Sequence, residues 1–185
     1  MMAETACARQ AEEVDPQLKA LLMHTVARSS SFDDRFDAEV WLVDMSTRLK
    51  PYLPNEQERL EFLRLVHQES VSAGLKPDLV IALIHAESLF DRYALSRAGA
   101  QGVMQVMPFW TRVIGDGDAG KLFHMQTNLR FGCVILRHYI DREQGDLFMA
   151  LGRYNGSRGR SPYPDAVFGA QRKWLFADRP QSPAA

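Results

Sequence analysis

A chain of 185 residues with 46% hydrophobic and 24% charged side chains has the size and balance of one soluble domain with a filled core. Its net charge of −1 excludes the basic face that nucleic-acid binding requires, so no nucleic-acid partner is expected. The longest apolar runs, such as residues 79–84, reach about six residues, far short of the ~20 that span a bilayer.

Taken in order, residues 1–14 are polar and featureless. They lack the basic and apolar regions of an export signal. Asp15-Pro16 predicts a helix start, with Asp as N-cap and Pro at the first helical position. Leu18, Leu21, Leu22 and Val26 continue it at helical spacing to the break at Ser29-Ser30-Ser31. A second helix is expected over residues 33–50, with Phe36, Val40, Trp41 and Met45 on one side and Pro51 beyond its end. Asn55 and Glu58 read as a capping box opening a third helix, with Leu60, Phe62, Leu63 and Val66 inward and Gly74 as its stop. Lys76-Pro77-Asp78 starts a fourth.

Residues 111–125 are irregular, with glycines at 115, 117 and 120. A helix then begins at Thr127-Asn128 and runs through Phe131, Val134, Ile135, Leu136, Tyr139 and Ile140 to Gly145. A short helix over 146–153 leads into Tyr154-Asn155-Gly156. A last one over 164–176 carries Val167, Phe168 and Trp174. The Pro-rich ADRPQSPAA that follows reads as a disordered tail. Cys7 and Cys133 make neither a disulfide framework nor a metal-ligand pair, and Cys133 reads as a small core residue. There is no repeat and no βαβ alternation. The only candidate β structure is a small hairpin within residues 92–106, so the fold class is mainly α.

The fourth helix carries the chemistry. Val80, Leu83, Ile84 and Glu87 follow the i, i+3, i+4, i+7 rule, which puts a carboxylate on the apolar stripe. Desolvation there favours the neutral acid. The negative pole of the helix dipole acts in the same direction, by ~0.3–1 kcal/mol. Both push Glu87 toward the protonated state that a general acid needs near neutral pH. A glutamate at a helix end is also a common boundary residue with its head in water, and periodicity alone does not separate the two. Asp91, four residues on, is either a second carboxylate of a glycosidase pair or a solvated helix-end residue.

The loop after it supplies further groups. Ser96 can donate or accept, and Gln105 offers both a donor pair and an acceptor. Gly99 and Gly102 permit φ > 0 and close approach of a ligand. Met104 and Met107 can line a groove for sugar rings or acetyl methyls, or simply be core.

In combination these residues resemble a known family. Glu87-Ser88, then Ser96-Arg97-Ala98-Gly99-Ala100-Gln101-Gly102-Val103-Met104-Gln105-Val106-Met107-Pro108, then Asn128 with Gly132, then Tyr154-Asn155 resemble the catalytic domain of soluble lytic transglycosylases, the goose-lysozyme-like group. The resemblance covers roughly residues 57–174. It implies a lysozyme-like, goose-type α+β domain over 56–176. Residues 1–55 would be a helical extension and 177–185 a tail.

The resemblance also implies a reaction. Members cleave the β-1,4 link between N-acetylmuramic acid and N-acetylglucosamine in peptidoglycan without adding water. One glutamate protonates the leaving oxygen, then as carboxylate takes the proton of the muramoyl C6 hydroxyl as a 1,6-anhydro ring closes. The paired carboxylates of ordinary glycosidases are then unnecessary, which weakens the case for Asp91.

By this resemblance Glu87 is the catalytic acid/base, and Ser96 and Gln105 hold the muramoyl sugar and its N-acetyl group. Met107 and Met104 line that subsite. Tyr154 points its hydroxyl toward Glu87, and Asn155 braces the turn. No metal or organic cofactor is implied. The partner is the glycan strand of the bacterial envelope, which places the protein in the periplasm. Protein partners in the envelope are left open.

The chain departs from the family pattern at Val103, Arg153 and Gly156-Ser157, and adds charge at Arg158 and Arg160. These arginines either meet peptide-stem carboxylates of the substrate or form a solvated loop. Three rival readings stay in play: a hydrolytic muramidase, a non-catalytic peptidoglycan-binding or assembly protein, and a plain helical interaction module.

Overall fold

The computed structural model describes residues 30–32 and 34–176. The expected helix after Pro16 and the expected tail lie outside the described residues. Asp34 caps the first described helix, α1 (Arg35–Leu49), by accepting the amides of Phe36 and Asp37. Ala38, Trp41, Leu42, Met45 and Leu49 form its buried stripe, whereas Phe36 is 54% exposed. The expected inward face is therefore rotated. Leu42 and Leu49 complete the i, i+3, i+4, i+7 series with Trp41 and Met45, and Phe36 at the first turn falls off it.

Helix α2 (Glu56–Ser72) starts as expected, with Asn55 Oδ1 accepting the Glu58 amide at 2.9 Å. A buried guanidinium ties it to what precedes it. Arg59 donates to Ser46 Oγ at 2.8 Å and to the carbonyls of Leu53 and Pro54. Gly74, at φ +66, lets the chain turn into α3 (Pro77–Ser88). The residues from Leu79 to Ile84 are buried all round, which marks α3 as the central helix rather than an amphipathic surface one. After the loop come α4 (Trp110–Ile114) and a 3₁₀ turn, Ala119–Phe123. The remaining helices are α5 (Met125–Arg142), α6 (Leu147–Asn155) and α7 (Pro162–Trp174).

Packing runs in a closed circuit. Helix α2 lies against α3 and α5, α5 against α6, α6 against α7, and α7 back against α3. Helix α1 covers α2 from outside, and Arg48 reaches the carbonyls of Lys173 and Leu175 at the end of α7. The β structure among the described residues is two isolated antiparallel bridges, Leu95 with Gln101 and Gln101 with Val106. It falls inside the segment where a hairpin was expected. No helix among the described residues is long and apolar enough to cross a membrane.

Among the boundaries that differ from the expected ones, three bear on the site, each shifted by about two residues. Helix α5 begins at Met125, so Asn128, expected at the helix start with Thr127, is an interior, buried residue. Helix α6 takes in Tyr154 and Asn155 as its last turn, with Gly156 at φ +80 as the cap. Helix α7 begins at Pro162, not Pro164, which places Tyr163 in its first turn.

Candidate active site

Glu87 sits in the last turn of α3, partly buried, with Ser88 after it. The chain leaves the helix through two consecutive residues in the left-handed region, Leu89 at φ 50 and Phe90 at φ 70. Each costs on the order of 1 kcal/mol. The bend is held by burial of Phe90 among Tyr52, Phe62, His85 and Trp174. Ser88 Oγ then donates to the Val103 carbonyl at 2.8 Å, tying the acid's helix to its loop.

Burial pushes the Glu87 carboxyl up to about 7, against a smaller downward pull from a hydrogen bond. That bond comes from Tyr163, whose hydroxyl donates to Glu87 Oε1 at 2.5 Å. Tyr154, expected to do this, instead donates to the Met104 carbonyl at 2.7 Å. The physical reason is the start of α7. With Pro162 as first residue, Tyr163 reaches Glu87 across the α3–α7 contact and occupies that oxygen. Tyr154 remains close enough that the Glu87 charge raises its own pKa, after the larger effect of burial. Tyr163 is the site residue that the sequence reading missed. The available signal was the Ser161-Pro162 pair, a helix start as good as Pro164.

The loop of residues 94–106 is built on its own backbone. Ser96 pairs with Ala100, Gln101 with Val106, and the Gly102 amide donates to the Ala94 carbonyl. Ser96 Oγ accepts the Ala100 amide at 2.9 Å, which leaves its O–H to donate elsewhere. Gln105 lies at φ 49, and its side-chain nitrogen donates to the carbonyls of Ala94 and Gly102. Two carbonyl partners fix which end of the amide is nitrogen, so Oε1 is the group left to accept from a ligand. Ser96 and Gln105 thus belong to one bridged loop with complementary free valences, one donor and one acceptor.

A single amide pins this loop to α5. Asn128, 1% exposed, accepts the Met104 amide and donates to the carbonyls of Gln101 and Leu122, all at 2.8 Å. Glycine is required opposite it: a Cβ on Gly102, which has φ +75, would lie 2.3 Å from Asn128 Nδ2. Met104 is corrected from subsite to core. It is fully buried, and a Cβ on Gly132 would come within 2.4 Å of its sulfur. Its backbone still serves, as the link between Asn128 and Tyr154. Met107 stays half-buried.

Asn155 is exposed on the last turn of α6, and its side chain makes no hydrogen bond among the described residues. Asp91 is exposed and accepts the Tyr93 amide at 2.9 Å, a turn-forming role. Among the described residues no group of three or more His, Cys, Asp or Glu side chains is placed to hold a metal. Cys133 lies in the core as expected, its thiol pushed up to about 12 by burial.

Comparison with known proteins gives consistent matches. The profile of the Transglycosylase SLT domain family matches residues 64–176. A transglycosylase of Enterobacteria phage PRD1 is 29% identical over 102 residues, covering 55% of this chain and 37% of that protein. Membrane-bound lytic murein transglycosylase C of Actinobacillus pleuropneumoniae (strain L20) is 40% identical over 84 residues, 41% of this chain and 23% of the relative. The chain thus corresponds to well under half the length of either relative. Among solved structures, an inactive mutant of the lytic transglycosylase Slt from Pseudomonas aeruginosa aligns at 19% identity with a TM-score of 0.48, over 90% of this chain and 32% of that one.

Proposed function

Because the chain belongs to the transglycosylase SLT domain family, we propose that it is a lytic transglycosylase. It cleaves the β-1,4 bond between N-acetylmuramic acid and N-acetylglucosamine of peptidoglycan to give 1,6-anhydromuramoyl ends. The observation that carries the reading is a lone carboxyl, Glu87, raised to about 7 by burial and held by one tyrosine hydroxyl. At neutral pH such a group is populated in both protonation states, which suits an acid that must later act as a base.

In this reading protonated Glu87 donates to the leaving glycosidic oxygen. The resulting carboxylate takes the proton of the muramoyl C6 hydroxyl, whose oxygen attacks C1 and closes the anhydro ring. The Tyr163 hydroxyl steadies the carboxylate between the two transfers and leaves its second oxygen for the moving proton. Gln105 Oε1 accepts from the acetamido N–H, the Ser96 hydroxyl donates to the sugar, and Met107 lies under the acetyl methyl. Asn155 and Tyr154 act from α6, Tyr154 by fixing the Met104 carbonyl. Asp91, exposed and with Oδ1 accepting the Tyr93 amide in a turn, is a poorer candidate for the second carboxylate of a hydrolytic pair. Residues 1–55 are read as an extension of the catalytic domain, and within them the described helix α1 braces α2 and α7. The work is done in the bacterial envelope, on the periplasmic side where the glycan strands lie.

Mass spectrometry of sacculi digested by wild type and by Glu87→Gln tests this. We expect anhydro-muropeptides from wild type and none from the variant. Products with only reducing ends would reject transglycosylation in favour of hydrolysis, and release unaffected by Glu87→Gln would reject Glu87 as the catalyst.

A further inference from the structure

The arginines that depart from the family pattern have a place in the fold. Glu143 follows α5, its backbone anchored to the Tyr139 carbonyl, and its side chain is only 8% exposed. It receives Arg153 from the last turn of α6, and Arg158 from the turn after it at 2.8 and 2.9 Å. Two guanidinium groups on one carboxylate hold its pKa down to about 2. The turn that Arg158 belongs to is pressed onto α6. The Ser157 amide donates to the Gly152 carbonyl at 2.7 Å, and a Cβ on Gly152 would meet Arg158 Cα at 2.9 Å. Arg160 closes that turn through its amide to Ser157, and α7 begins two residues later with Pro162 and Tyr163.

We propose that Glu143 is a positioning residue for Glu87. By clamping Arg153 and Arg158 it fixes the turn of residues 156–161, and so delivers the Tyr163 hydroxyl to the carboxyl. The arginines are then a scaffold rather than a receptor for peptide-stem carboxylates. The rest of α7 is held independently, by Gln171 on Asp78 and Trp174 on His85. The clamp therefore governs only its first turn, the one that carries Tyr163. This deepens the reading of Glu87 as acid/base and rests on it for its meaning to the reaction.

The group that acts on Glu87 is Tyr163 from α7, and Tyr154 from α6 in turn feels the Glu87 charge. Those facing the clamp are Arg153 and Arg158, with Asp146 acting on Arg158. The test is an NMR titration of the Glu87 carboxyl in the full chain. Tyr163→Phe removes a hydrogen bond to the charged form and raises the midpoint by about one pH unit. Glu143→Gln loosens that bond and raises it by roughly half as much. Added to Tyr163→Phe, it shifts the midpoint no further. Loss of a negative charge acting through space would lower the midpoint, so the sign separates positioning from field effects.

An unchanged or lowered midpoint in folded Glu143→Gln overturns the proposal, as does an undiminished shift in the Tyr163→Phe background. Should Glu143→Gln fail to fold, Arg158→Ala is read by the same pair of backgrounds. Product analysis does not enter this readout. A chain that titrates as expected yet releases no anhydro ends would sink the proposed function and leave the clamp standing.

Discussion

Two regions close on Glu87, and they are fastened by opposite means. The loop of residues 94–106 is held to α5 by one neutral amide, Asn128, fully buried, with both N–H groups donating and its oxygen accepting. The turn of residues 156–161 is held by an ion cluster, Glu143 with Arg153 and Arg158, at the edge of solvent. A neutral buried pin has no titration and little salt dependence, but losing it strands buried backbone groups. An ionic pin near water is cheap to lose and responds to pH and salt. The loop of residues 94–106 is therefore the rigid partner, and the side that supplies Tyr163 is the adjustable one.

The largest way to break that contrast is Asn128→Ala. It strips the Met104 amide and the Leu122 carbonyl of this partner, while the Gln101 carbonyl keeps the Val106 amide, and should cost about 2–4 kcal/mol in unfolding free energy. Asn128→Asp keeps the one accepted bond and loses both donated ones, so denaturant melts should find it destabilised too. Recovery of wild-type stability in Asn128→Asp would mean that the two donated bonds do not matter.

Next comes Glu87 itself. Its folded pKa of about 7 lies above an unfolded value near 4.3. The associated stability is full below that unfolded value and is lost as pH rises toward 7. Glu87→Gln should therefore be more stable than wild type at pH 8, by up to about 3 kcal/mol, and equal to it near pH 4. Thermal unfolding across pH checks this, and equal melting temperatures at both ends would refute the buried-acid account. Gly102→Ala follows, at about 1–3 kcal/mol for strain and overlap with Asn128.

The smallest effect belongs to Arg158→Ala, half exposed in its cluster. It should barely move the melting temperature, and raising salt to about 0.5 M should shrink the difference further. Glu143 is depressed, so its contribution is present above its unfolded value near 4.3 and lost as pH falls toward 2. Loosening confined to the second region as pH falls below about 4, followed by hydrogen exchange, is the expected signature. Simultaneous loosening of both regions would erase the contrast drawn here.

The same contrast explains what the chain discloses of itself. Asn55, Pro77 and Asp146 cap or start helices through local chemistry, and the structure has them where the sequence puts them. The position of Glu87 at the end of a deeply apolar run was also legible, because helical period survives folding. Met104 was not. A loop has no period, so nothing local says which of Met104 and Met107 turns inward, and the decision lies with Gly132 on another helix. The exchange of Tyr154 for Tyr163 has the same origin. Ser161-Pro162-Tyr163-Pro164 offers two equivalent helix starts, and packing of α7 on α3 chooses between them.

The bond from Tyr163 to Glu87 joins residues 76 apart, and the two other side-chain bonds between α3 and α7 join residues 89 and 93 apart. On a growing polypeptide the acid is made long before the helix that completes its surroundings. Until residue 163 has left the ribosome and docked, Glu87 is an ordinary solvated carboxylate, mostly ionised at neutral pH and a poor proton donor. In the proposed reaction, a chain that ends before residue 163 thus lacks its tuned acid, which arises only when α7 docks on α3.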